Sequence, residues 1–145
     1  MTMLNSPDTE LTPVKGFKIN IRTEVLQNEN FRKLLYTGNH LQLVSMSLGT
    51  GEELGEEIHN ANDQFFRFES GQGLCIINGH EYHVLNGDAI VIPAGAKHNV
   101  INVSATDALK MYTIYAPPHH KDGITRQTKK DTFDNPEKFD GQTSE

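Results

Sequence analysis

The sequence predicts an all-β jelly-roll barrel. Three observations carry that prediction: short apolar runs with period-two patterning, turn residues between them, and no segment of helical length with a convincing apolar period. The first run, FKINIRT (17–23), alternates Phe and Ile with polar residues. RKLLYT (32–37) and LQLVSMSL (41–48) follow, separated by a Gly-Asn turn signal. QFFRFES (64–70) places Gln64, Phe66 and Phe68 on one face and Phe65 and Arg67 on the other. GLCIIN (73–78) and HEYHVL (80–85) flank Asn-Gly, which suits the positive dihedrals of a type I′ hairpin turn. Asn86-Gly87 is read as a second such turn. AIVIP (89–93), HNVINV (98–103) and ALKMYTIYAP (108–117) complete nine strands, enough to close into a barrel that hides its edges and holds a cavity.

The flanks differ in composition. Residues 1–14 are polar with two prolines and read as a flexible arm, residues 15–118 as the barrel domain. Residues 119–145 form a polar tail, partly disordered or draped over the domain, with Phe133 and Phe139 as its large apolar anchors.

Bulk properties exclude several classes of function. A net charge of -6 without a basic patch argues against nucleic acid, whose binding depends on Lys and Arg neutralising phosphates; Lys129-Lys130 is too short to change this. No apolar run is long enough to span a membrane, and MTMLNSPDTELTP lacks the basic-then-apolar order of a secretory signal. Cys75 is the single cysteine, so no intrachain disulfide forms, and a cytoplasmic location is expected. Its place in LCIIN predicts a buried, inert thiol.

The most specific pattern is GDAIVIPAGAKHNVIN, residues 87–102. Gly87 turns the chain, AIVI is a buried strand, and PAGAKH is a tight loop presenting His98 at the start of the next strand. The spacing Gly87-x5-Pro93-x-Gly95-x2-His98-x3-Asn102 resembles the second conserved motif of the cupin superfamily, with every fixed position present. The first cupin motif carries His-x-His, then Glu after three or four residues, then Gly after six more. Counting back from Gly71 aligns those positions with Glu57, His59 and Gln64. The resemblance covers residues 40–118 and implies a double-stranded β-helix holding one divalent metal ion through Glu57, His59, Gln64 and His98.

The residues themselves fit that implication. Glu57 and His59 are two apart, so on an extended chain they face one side. Glu57 offers a carboxylate, Gln64 a carbonyl oxygen, and the histidines imidazole nitrogens. Three histidines and a glutamate carry one negative charge; so does Glu, His, Gln, His. Two nitrogens and two oxygens suit Zn, Fe, Mn, Ni or Co, and Glu57, His59 and His98 make a two-histidine, one-carboxylate set. Glu56 and Asp63 are the rival carboxylates, opposed by strand alternation and by the spacing to Gly71 respectively.

Phe66, Phe68, Val100 and Tyr112 are the pocket-lining candidates. Alternation leaves open whether Tyr112 and Ile114, or Met111, Thr113 and Tyr115, face the cavity. His80 and His83 read as solvated strand residues and His40 as a turn residue. His119 and His120 read as an exposed linker, or as a proton shuttle if the tail folds over the cavity mouth. The expected function is a metal-dependent enzyme on a small oxygen-rich substrate, dioxygenase-like or sugar-isomerase-like. The alternative is a non-catalytic module binding a small ligand or a metal. A DNA-binding regulator is disfavoured, because no helix-turn-helix segment is read. By resemblance a homodimer is expected.

Overall fold

The computed structural model describes residues 13–145; the expected arm over 1–14 therefore lies almost wholly outside the described residues. Ten strands and two short helices run in the order α1 (Ile21–Gln27), β1 (Arg32–Thr37), β2 (Gln42–Leu48), β3 (Glu57–Ile58), β4 (Asp63–Ser70), β5 (Gln72–Ile77), β6 (His80–Leu85), β7 (Ala89–Ile92), β8 (Lys97–Asn102), β9 (Leu109–Ala116), β10 (Thr125–Arg126) and α2 (Lys129–Asp134). The larger sheet has the order β10-β1-β2-β9-β4-β7 and the smaller β3-β8-β5-β6. All pairings are antiparallel. This is the cupin-type jelly roll.

The inner faces share one core. Val44, Met46, Leu48, Phe66, Phe68, Leu109 and Met111 of the larger sheet pack against Cys75, Val84 and Val100 of the smaller. Burial pushes the Cys75 thiol up to about 12, as expected for an inert core residue.

Eight of the nine expected runs form strands at nearly the expected bounds; the exception is residues 17–23. Residues 17–20 have no regular structure, and Ile21–Gln27 is a helix capped by Asn20, whose side chain accepts the Thr23 N–H at 3.0 Å. The alternation of Phe17, Ile19 and Ile21 imitates a strand. A seven-residue helix burying Val25 alone is too short to display a 3.6 period. Helix α1 lies on the outer face of the larger sheet, where Lys33 reaches Glu24 at 2.9 Å. Helix α2 carries a capping box between Thr128 and Asp131, a signal present in the sequence as TKKD.

The turns divide. Asn78 (φ 47°) and Gly79 (φ 83°) are both left-handed, as a type I′ turn requires. At 86–87 only Gly87 (φ 94°) is, so this turn is not of that type. Gly71 (φ 93°) joins β4 to β5, and a Cβ there would collide with the Ala108 carbonyl oxygen. The glycine from which the site was counted is therefore required by the backbone.

The tail over 119–145 is draped over the barrel rather than extended from it. Strand β10 pairs with β1, Phe139 N–H donates to His119 O (3.0 Å), and Ser144 N–H donates to Thr37 O (2.9 Å). Glu145 accepts from Tyr36 Oη at 2.7 Å and from Gly16 N–H at 2.9 Å.

Candidate metal centre

The register of the smaller sheet builds the site. Glu57 on β3 lies directly opposite His98 on β8, so both point into the barrel. His59 follows β3 on the same side as Glu57, and its carbonyl accepts the Gly95 N–H at 2.9 Å. That bond ties the PAGAKH loop to the strand bearing the other histidine. Asn102, the last residue of the motif, serves structure: its Nδ2 reaches the carbonyls of Leu48, Gly49 and Asp107 at 2.9–3.0 Å.

One donor atom from each of Glu57, His59 and His98 lies within 4.8 Å of the others, a group that could hold a metal ion. His59 Nε2 is 3.5 Å from Glu57 Oε1. His98 Nδ1 donates to Ala96 O at 3.0 Å, which fixes the tautomer and leaves Nε2 as a bare lone pair facing inward. Gln64 Nε2 donates to Thr113 Oγ1 at 3.0 Å, so its Oε1 is free. His59 Nε2, His98 Nε2 and Gln64 Oε1 are all buried without a partner. Such an atom costs roughly 1–3 kcal/mol unless something fills its need.

The electrostatics keep Glu57 and His98 in their ligating forms. Burial pushes the Glu57 carboxyl up, but His59 beside it and the charge of Arg32 bring it below the usual carboxylate range. Burial outweighs the Ala96 bond and pulls His98 below the ordinary histidine value, so it is neutral at pH 7.

The other candidates separate cleanly. Phe66, Phe68 and Val100 are fully buried core residues on the inner faces. Tyr112 is not on the site's face: it points outward beside Phe65 (6.2 Å between rings), because Met111, Thr113 and Tyr115 take the inward positions of β9. Glu56 points out and pairs with Lys97 at 3.4 Å, as alternation requires. Asp63 accepts the Ala94 N–H at 2.9 Å and braces the loop. His40, His80 and His83 are exposed.

The tail supplies what sequence reasoning largely missed. The His119 ring lies edge-on to His59 at 4.4 Å and stacks on Tyr115 at 5.1 Å. Burial, with His120 and His59 nearby, lowers its pKa to about 4. His120 spans from Tyr115 Oη (3.2 Å to Nε2) to Glu137 Oε1 (3.1 Å to Nδ1). The N–H groups of His119 and His120 both donate to Gln42 Oε1, at 3.0 and 2.8 Å. Only the pairing HH after APP, and Tyr115 on one of the two alternating faces of its strand, were visible locally; Gln42 and Glu137 gave no signal.

Comparison with known proteins decides the family. Residues 44–115 match the family model described as a cupin domain. Over 110 residues the chain is 46% identical to the uncharacterized protein L612 of Acanthamoeba polyphaga mimivirus, covering 74% of this chain and 69% of that protein. The chain belongs to the cupin family. This cupin is also 46% identical over 123 residues to the uncharacterized protein YrkC of Bacillus subtilis, covering 81% of this chain and 66% of that protein. The chain thus spans about two-thirds of the length of these curated relatives. Among solved structures, BH2720 from Bacillus halodurans superposes with a TM-score of 0.80 at 41% identity, covering 83% of this chain and 95% of that one. No helix among the described residues is long and apolar enough to cross a membrane.

Proposed function

We propose that this cupin holds one divalent metal ion through Glu57, His59, Gln64 and His98, and is a metal-dependent enzyme acting on a small oxygen-rich molecule. The observation that carries this reading is the set of three buried donor atoms without partners, two of which, on His59 and His98, are grouped with the Glu57 carboxylate. Two imidazoles, an amide oxygen and one carboxylate suit Zn, Fe, Mn, Ni or Co. When bound, the ion supplies Lewis acidity toward substrate oxygens.

The chain's own residues do the rest. Glu57, with a side chain 37% exposed, marks the solvent side of the site, whereas His59 is only 9% exposed. Phe66, Phe68 and Val100 exclude water from beneath. His119, uncharged at neutral pH and edge-on to His59, is a group able to accept a proton that is not itself a presumed ligand. That placement favours an enzyme, dioxygenase-like or sugar-isomerase-like, over a binding module. The test combines elemental analysis with a turnover screen on keto-sugars and enediol compounds. Bound metal with turnover supports the enzyme. Bound metal in a closed shell without turnover on any of them identifies a non-catalytic binding cupin instead.

We propose in addition that the chain pairs as a homodimer. An apolar row crosses the outer face of the larger sheet in direct register: Tyr36, Leu43, Ile114, Phe65 and Val91. Val91 is 65% exposed at the end of this row. A β-sheet face of this kind gains stability by meeting a second copy. Light scattering is expected to give twice the chain mass, and the monomer mass for a Phe65→Lys, Val91→Lys variant. A monomeric wild type contradicts the dimer.

A further inference from the structure

We propose that the site takes a small anion, a carboxylate or a phosphate, and that Arg32 is the side chain that binds it. The proposal rests on the reading of this barrel end as a ligand site, but not on a metal being there.

Arg32 is placed by register. It lies opposite Met46, which is 1% exposed on the inner face, while its neighbour Lys33 points out to helix α1. The Arg32 side chain is only 12% exposed. A guanidinium carries five N–H donors and stays charged at any pH the fold survives, so burial cannot be relieved by losing a proton. Its Nε is buried with no partner. The one carboxylate within 4.0 Å of it among the described residues is Glu137, whose Oε1 stands at 3.7 Å, beyond hydrogen-bond length.

Glu137 is also committed elsewhere. Its Oε1 meets His120 Nδ1 at 3.1 Å, and its Oε2 accepts the Lys121 N–H at 3.0 Å. Arg67 and Arg126 share the unpartnered Nε, but Arg67 is 40% exposed and Arg126 donates to Asn135 O at 3.1 Å. Arg32 alone combines the inward position, the burial and an unpartnered Nε, its guanidinium lying over the Phe31 ring at 5.6 Å.

A chain of contacts links it to the metal centre: Arg32 to Glu137, Glu137 to His120, His120 to the Tyr115 hydroxyl, and the Tyr115 ring to His59 at 5.8 Å. Its charge is felt at Glu57, Tyr115, His119 and His120. A planar guanidinium matches a carboxylate or phosphate bidentately. A substrate anchored there by its anionic group would extend its other oxygens toward Glu57, His59 and His98.

The test follows the Arg32 Nε–Hε resonance of the full-length ¹⁵N-labelled protein during titration with pyruvate, inorganic phosphate and glycerol. A saturable shift with one or both anions, at least tenfold tighter than with glycerol, supports the proposal. Pyruvate alone assigns a carboxylate ligand; phosphate alone assigns a phosphate. Arg32→Lys keeps the charge facing Glu137 and should fold, yet weaken anion binding at least tenfold. Arg32→Gln should remove it. No shift with either anion, or equal affinity in Arg32→Lys, overturns the proposal. Elemental analysis of the same samples separates the two readings. Arg32-dependent anion binding without metal overturns the metal centre only, and a full complement of metal with Arg32-independent binding overturns this inference only.

Discussion

Replacing His98 with alanine is expected to empty the metal centre, lowering bound metal from one ion per chain to less than a tenth of that. His98 is 2% exposed, its ring is oriented by the Ala96 carbonyl, and its Nε2 has no protein partner. Altering a partner that merely orients a ligand costs about 10–100-fold in metal affinity, and removing the ligand itself should exceed that. His59→Ala is expected to behave alike, since its Nε2 is equally idle. Gln64→Ala should weaken binding less, because a neutral amide oxygen is the poorest donor of the four. Elemental analysis after dialysis reads all three, and circular dichroism confirms that each variant is folded. Full metal occupancy in His98→Ala contradicts the assignment.

Glu137→Gln is expected to destabilise the protein by about 3 kcal/mol at pH 7, roughly 10 °C in Tm for a chain of this size. The Glu137 side chain is 9% exposed. Burial pushes its carboxyl up, but the His120 bond, the Lys121 N–H and the Arg32 charge together bring it from 4.5 down to about 2. That depression is the source of the 3 kcal/mol, at about 1.4 kcal/mol per pH unit. The folded-state pKa is the lower one, so the contribution is complete above pH 4.5 and fades as pH falls toward 2. His120 acts with the same sign. Burial lowers its pKa below 6.5 despite the Glu137 carboxylate, so the unfolded chain takes up its proton first and stability declines as pH drops below 6.5. The gap between wild type and Glu137→Gln in urea unfolding should therefore close between pH 4.5 and about 2. A gap that is constant over that range contradicts the role of Glu137 as the buried carboxylate holding the tail.

What could be read in the sequence follows from what is local. Half-buried strands alternate, so β1, β2 and β4–β9 were visible as patterns, and the same alternation put Glu57 and His59 on one side and Glu56 on the other. The loop before His98 is built from Pro93 and Gly95, whose backbone demands are themselves local. Helix α1 was hidden because Phe17, Ile19 and Ile21 mimic a strand, and the cap that decides the matter is one Asn20 bond. Alternation on β9 gave two faces without saying which was inner, so Tyr112 was a candidate where Tyr115 is the residue at the site. Arg32, Gln42, His119, His120 and Glu137 meet only because the tail crosses back under β1. Contacts such as His120 to Gln42, 78 residues apart, have no signature in spacing or periodicity.

The most direct measurement is anomalous scattering from crystals of the full chain grown without chelators, recorded above and below the absorption edge of the metal found by elemental analysis. One peak per chain is expected, bonded to His59 Nε2 and His98 Nε2 with oxygen atoms of Glu57 and Gln64 completing the protein donors. Crystals of protein carrying less than a tenth of an ion per chain, or a peak bonded to neither histidine, would contradict it.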